Sequence, residues 1–309
     1  MSETAGDFAA IAAVGPGANE LLRLQDLLAQ LSTYESDRFA ELVLVDDSKG
    51  AHDWSVLRPP QRVRVIPAKR SGRGDSWRGG LATNILWGIE EGFRDPRVKF
   101  IVKLDTDSFV IAPFANKISQ QFEANRNAGV LGSCFEIDLH EQRVPSSTWE
   151  RNIVKYAKLI RFRRRPMPRL ETALFGKNRV IRRLISMALA HNWASGACAQ
   201  GGGYAVCREL FIRWKEHGFL NEPLLWLETD LGEDVVVALL CFAAGREILD
   251  FNRPGEVFGV QYCGLGFAPE ELSRRGYSIV HSVKSECWDS EVRIRDALRA
   301  SARAAIKNV

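Results

Sequence analysis

Lys99-Phe100-Ile101-Val102-Lys103-Leu104-Asp105-Thr106-Asp107-Ser108-Phe109-Val110 is an apolar run that stops on two carboxylates one residue apart. A buried strand ending in Asp-x-Asp delivers acids to the carboxyl edge of a sheet, where open α/β folds bind ligands. Two carboxylates held this close repel each other unless a cation joins them, and a hard divalent ion bringing substrate phosphates does so. The stretch reads as a metal-diphosphate site. The competing reading is that Asp105 or Asp107 caps the following turn, and the rest of the chain must decide between the two.

Upstream, 8–14 is a short apolar run halted by Gly15-Pro16-Gly17, a first buried strand. Leu21, Leu22, Leu24, Leu27, Leu28 and Leu31 recur at helical spacing, which predicts a helix over 20–31. A second strand over 41–45 also ends on paired acids, Asp46-Asp47, and 62–67 alternates as a third. The loop 68–80 combines glycines with cations, Arg78 among them, as a phosphate-cradling loop does. It contains no GxxxxGK[ST], which argues against a P-loop NTPase, and no GxGxxG between strand and helix. Leu81, Ile85, Leu86 and Ile89 then mark a helix that carries Asn84. This β-α-β-β-α-β order predicts an α/β fold with a mostly parallel central sheet flanked by helices.

Downstream, 130–137 reads as one more strand, and 147–191 reads as a largely helical insertion. That insertion holds a basic patch over 161–169 together with Lys177, Arg179, Arg182 and Arg183. Such a patch is either a solvated face or a meeting place for phosphate-bearing acceptors, anionic membrane or nucleic acid. Nucleic acid is disfavoured because only Phe162 and Phe175 accompany the cations. Gly201-Gly202-Gly203-Tyr204 is a glycine-rich turn entering an apolar segment, and Glu233-Asp234 opens an apolar helix. A short β-rich run over 277–284 carries His281 and Lys284, and 290–306 is a basic helix expected to pack on the core. The chain divides into one domain over 8–290 and a C-terminal basic helix over 291–309.

The bulk composition fits an ordinary soluble globular protein: 309 residues, 46% hydrophobic, 26% charged, formal net charge +4. No apolar stretch reaches the ~20 residues of a membrane span. The first seven residues lack the basic start of a secretory signal. The expected location is cytoplasmic, with peripheral contact at a membrane surface open to the basic segments. Six scattered cysteines without CxxC spacing read as structural thiols.

Taken in order, these segments resemble the GT-A glycosyltransferases, in the family-2-like, DxD-containing form. The resemblance implies a sugar transferase of the hexosyltransferase type that uses a nucleotide-sugar donor. By this likeness Val14 and Gly15 make the first nucleotide contact, and Asp46 and Asp47 recognise base or ribose. Arg78, Asn84 and Lys284 lie along the donor, with Lys284 as a second diphosphate contact. Asp105 and Asp107 form the DxD, and His281 completes a shell for Mn²⁺ or Mg²⁺. The glycine run 201–203 resembles an acceptor-side segment, and Glu233-Asp234 the pair that supplies a general base, Asp234 first and Glu233 second. An inverting reaction on a UDP-sugar follows, with a glycan, a lipid-linked compound or a small molecule as acceptor. Two other readings compete: a sugar-phosphate nucleotidyltransferase, disfavoured because the turn after the first strand has no cation, and a non-catalytic anion- or nucleic-acid-binding protein.

Overall fold

A computed structural model describes residues 6–69, 79–137, 143–145, 177–193, 197–227, 229 and 231–307. The 70–78 loop with Arg78, the 161–169 basic stretch and most of the predicted insertion lie outside the described residues.

The central sheet has seven strands. In chain order these are β1 (Phe8–Val14), β2 (Phe39–Asp46), β3 (Val63–Pro67), β4 (Phe100–Leu104), β6 (Ala128–Gly132), β9 (Gly203–Cys207) and β10 (Glu247–Asp250). Their spatial order is β10-β6-β9-β4-β1-β2-β3. All neighbouring pairs are parallel except those of β9, which runs antiparallel to both β4 and β6. β1 and β4 are buried on both faces, which explains why they read as continuous apolar runs without alternation.

The two faces of the sheet carry two cores. Ala9, Ile11, Val43 and Ile101 face one side, where α2 (Gly79–Gly92), α4 (Lys177–Ala190) and α6 (Glu233–Ala243) supply Ile85, Ile89, Ile181, Leu184, Val236 and Leu240. Phe8, Ala10, Ala12, Leu42 and Val102 face the other, against Leu24, Leu27, Leu28 and Leu31 of α1 (Glu20–Tyr34) and Ile118 of α3 (Ala115–Ala124). α5 (Arg208–Glu216) follows β9 directly.

A second, three-stranded sheet orders β11 (Phe258–Val260), β12 (Ile279–His281) and β5 (Phe109–Val110). β12 runs antiparallel to β5, pairing Ile279 with Val110 and Val280 with Phe109. Because β5 begins two residues after Asp107, this register carries His281 to the Asp-x-Asp turn.

Some expected boundaries move. The single strand expected over 130–137 is two, since the chain leaves the sheet at Ser133-Cys134 and β7 (Phe135–Ile137) pairs instead with β8 (Arg143–Pro145). The break has polar causes. Ser133 Oγ donates to Val260 O at 3.1 Å and accepts from Asn252 Nδ2 at 2.6 Å, and Cys134 N donates to Asp250 Oδ1 at 2.9 Å. After the short α7 (Pro269–Arg274), the C-terminal helix α8 spans Trp288–Lys307, so a boundary at 290/291 falls inside it. α8 is fastened to α1 through Glu291, whose Oε2 lies 2.6 Å from Arg23 Nη2. All six cysteines are free. Among the described residues no helix is long and apolar enough to cross a membrane.

Candidate active site

The turn that follows β4 is tied down by its own backbone. Asp105 N donates to Gly202 O at 3.3 Å, Ser108 N to Asp105 O at 3.0 Å, and Val283 N to Asp107 O at 3.0 Å. On each carboxylate one oxygen is held and the other is left facing inward. Asp105 Oδ1 accepts from Lys103 Nζ at 2.6 Å, and its Oδ2 stands 3.5 Å from His281 Nε2. Asp107 Oδ2 accepts from Ser282 Oγ at 2.5 Å, and its Oδ1 stands 3.3 Å from the same nitrogen. His281 Nδ1 lies 2.7 Å from Gln261 O. A carbonyl only accepts, so Nδ1 carries a proton, and a second proton on Nε2 faces the two carboxylates, where a metal ion would displace it to take the lone pair.

The three residues bring ligand atoms within 4.8 Å of one another. The donor set, two carboxylate oxygens and an imidazole nitrogen each oriented by an outer hydrogen bond, fits a divalent cation that keeps open positions for substrate. The electrostatics agree. Burial opposes ionisation of Asp107, but the hydrogen bond and charge of His281 outweigh it and hold the carboxyl well below its usual range. Burial likewise lowers the His281 pKa, and bonding to Asp107 with the charge of both carboxylates more than reverses it, leaving it raised. The pocket favours positive charge at this point.

The glycine run passes between this group and the acid pair. A Cβ on Gly202 would lie 2.2 Å from His281 Nδ1, and one on Gly201 would lie 2.8 Å from Glu233 Oε1. Only glycine lets the backbone approach both side chains. The resemblance gave this run an acceptor-side place, and the structure sets it against the histidine and Glu233.

Glu233 and Asp234 open α6, both buried. Lys103, which the sequence reading passed over, joins them to the Asp-x-Asp turn. Its ammonium, fully buried, also reaches Glu233 Oε1 at 2.7 Å and the carbonyl of Gly201. Burial disfavours the lysine charge, but Asp105 and Glu233 overcome that and raise its pKa. Among the described residues Asp234 has no such partner: Oδ1 accepts from the backbone N of Val235 at 2.8 Å, and Cys198 Sγ lies 3.9 Å from Oδ2. Burial first, then the charge of Glu233, pushes its pKa up to about 8. A signal for Lys103 was present, since a lysine inside an all-buried strand requires an acid partner.

A second group gathers at the same end of the sheet, on β1 and β2. Val14 is buried, and Gly15 O accepts from His52 Nε2 at 2.7 Å. The Asp46 carboxylate accepts from Ser48 N at 2.9 Å, Ser48 Oγ at 2.6 Å and Trp54 Nε1 at 3.1 Å, so it shapes the loop beyond β2. Asp47 is buried, and Asn84 Nδ2 donates to its Oδ2 at 3.2 Å. Among the described residues the buried Oδ1 of Asn84 has no hydrogen-bond partner. Lys284 is exposed, three residues after His281.

No protein-family model and no curated protein matches the sequence. Solved structures do. The bifunctional glycosyltransferase WbbM in its apo form superposes over 98% of this chain and 51% of its own, at 11% identity and a TM-score of 0.50. The galactosyltransferase LgtC, solved with donor and acceptor sugar analogues, aligns over 94% of this chain and 95% of its own, at 13% identity and a TM-score of 0.48. A glycosyltransferase involved in glycosylation of the major capsid of PBCV-1 aligns over 94% and 98%, at 9% identity and a TM-score of 0.43. At such identities the likeness is one of fold, and the chain has the fold of the GT-A glycosyltransferases.

Proposed function

We propose that this chain is a metal-dependent glycosyltransferase that moves a sugar from a nucleoside diphosphate donor, UDP-sugar preferred, to an acceptor hydroxyl with inversion. One observation carries the reading: Asp105 Oδ2, Asp107 Oδ1 and His281 Nε2 converge with their remaining hydrogen-bonding positions already used. Mn²⁺ or Mg²⁺ bound there supplies the charge that neutralises a departing diphosphate, and the imidazole favours Mn²⁺. In the transfer, the bond from the anomeric carbon to the diphosphate oxygen breaks and its electrons leave with the nucleotide. The bond to the acceptor oxygen forms as the acceptor proton passes to a carboxylate.

Asp234 is the acid suited to that proton. Lys103 engages Glu233 in an ion pair, whereas Asp234, with a pKa of about 8, is an unusually strong carboxylate base once ionised. Asp47 and Asn84 would meet the nucleoside in this reading, and Asn84 Oδ1, without a partner among the described residues, has an acceptor to offer it.

A thermal-shift panel of nucleoside diphosphates, each with and without Mn²⁺, tests the reading. UDP with Mn²⁺ should raise the melting temperature, neither alone should match it, and Asp107→Ala should abolish the effect. If no nucleotide stabilises the protein with any divalent metal, the proposal fails.

A further inference from the structure

The loop after β11 is pinned at both ends to the strand that carries the site histidine. Gln261 N donates to His281 O at 2.9 Å, Gln261 O accepts from His281 Nδ1 at 2.7 Å, and Ser282 N donates to Gly264 O at 2.9 Å. Between these pins stands Tyr262, 67% exposed. The other exposed large apolar side chains among the described residues range from 43% to 52%, and each is aliphatic. Tyr204 and Tyr277, by contrast, are buried at 1% and 2%. Among the described residues the Tyr262 ring has no aromatic neighbour and its hydroxyl no partner.

A single exposed leucine needs no explanation. An aromatic ring held largely in water by a loop fastened to the candidate active site is different, because two-thirds of its surface is open to a ligand. A sugar ring is complementary to it: one face of C–H groups covers the ring, while hydroxyls around the edge stay in water or meet the phenol. With the donor diphosphate directed to Asp105, Asp107 and His281, an incoming acceptor has to rest at the rim beside them.

We propose that Tyr262 is a stacking platform for a sugar ring of the acceptor, which makes the acceptor a saccharide. This rests on the transferase reading above and narrows it, since a lipid or peptide acceptor would need no such ring.

The test is saturation-transfer NMR on the full chain with UDP and Mn²⁺, against lactose, maltose, cellobiose and chitobiose at millimolar concentration. At least one disaccharide should receive saturation on its ring protons. Binding should weaken tenfold or more in Tyr262→Ala and persist in Tyr262→Phe and Tyr262→Trp, with the UDP-induced thermal shift unchanged in all three. If none of the disaccharides binds wild type, or if Tyr262→Ala binds as well as wild type, the platform is overturned. If UDP does not bind but a disaccharide does, in a Tyr262-dependent way, the transferase reading falls and the sugar platform stands.

Discussion

Asp234, the base proposed above, sits in a pocket that disfavours its ionised form. Burial, and after it the charge of Glu233, holds its pKa up to about 8 against an ordinary value of 3.8. A general base acts ionised, so transfer should rise about tenfold per pH unit at lower pH and level off above about 8. A pH profile of initial rates checks this. Asp234→Asn should keep the metal-dependent nucleotide shift and lose transfer by about 10²–10⁴-fold. The same raised pKa carries a stability consequence of opposite sign to that of a salt-bridged acid. Between the ordinary value and about 8 the unfolded chain has lost a proton that the fold retains, so stability falls as pH rises through that window. Asparagine is neutral throughout, and Asp234→Asn should therefore melt above wild type at pH 8, the inactive protein being the more stable one.

The elements differ in how far they were legible. Strands ending on acids could be read because an apolar run, a charge and a breaker lie next to one another, as at Val14-Gly15-Pro16 and Leu104-Asp105. His281 could be placed by likeness alone, since its approach to Asp107 depends on β12 pairing with β5. The break at Ser133-Cys134 was illegible: apolar residues flank it, and what bends the chain is Asp250, Asn252 and Val260, far along the sequence. Lys103 was visible only as an anomaly, because its second acid, Glu233, comes from another element. The glycine run shows how tightly β9 fits. Gly202→Ala would place a Cβ 2.2 Å from His281 Nδ1, where the ring can only turn away and leave Gln261. Mn²⁺ affinity measured by calorimetry should fall more than tenfold, in line with the loss of an outer-shell partner. Gly203→Ala is the control, with its nearest contacts at an ordinary 3.5 Å, and should bind Mn²⁺ as wild type does.

The molecule closes on itself through charge. Composition marked α8 as a basic helix, yet Arg295 is 1% exposed and is committed to Glu291 at 2.8 Å and Asp26 at 3.1 Å. Glu291 also takes Arg23 through Nε at 2.8 Å, a bond that spans 268 positions of sequence and joins α1 to α8. No local pattern reveals such a pairing, and a net charge of +4 does not locate it. Removing the carboxylate leaves two guanidinium groups buried with too little negative charge, so Glu291→Ala should cost about 3–5 kcal/mol in urea unfolding at pH 7. Removing Glu271, which meets Arg274 at the surface at 2.5 Å, should change little, because water already screens that pair. Acid separates the two explanations of the Glu291 loss, charge and packing. Burial pushes the Glu291 pKa up, but the bonds from Arg23 and Arg295 prevail and hold it below its ordinary value. Its contribution is therefore complete above the ordinary carboxylate range and disappears as pH falls through the depressed value. The gap between wild type and Glu291→Ala should narrow over that interval if charge holds the two ends of the chain together, and should stay constant if packing does.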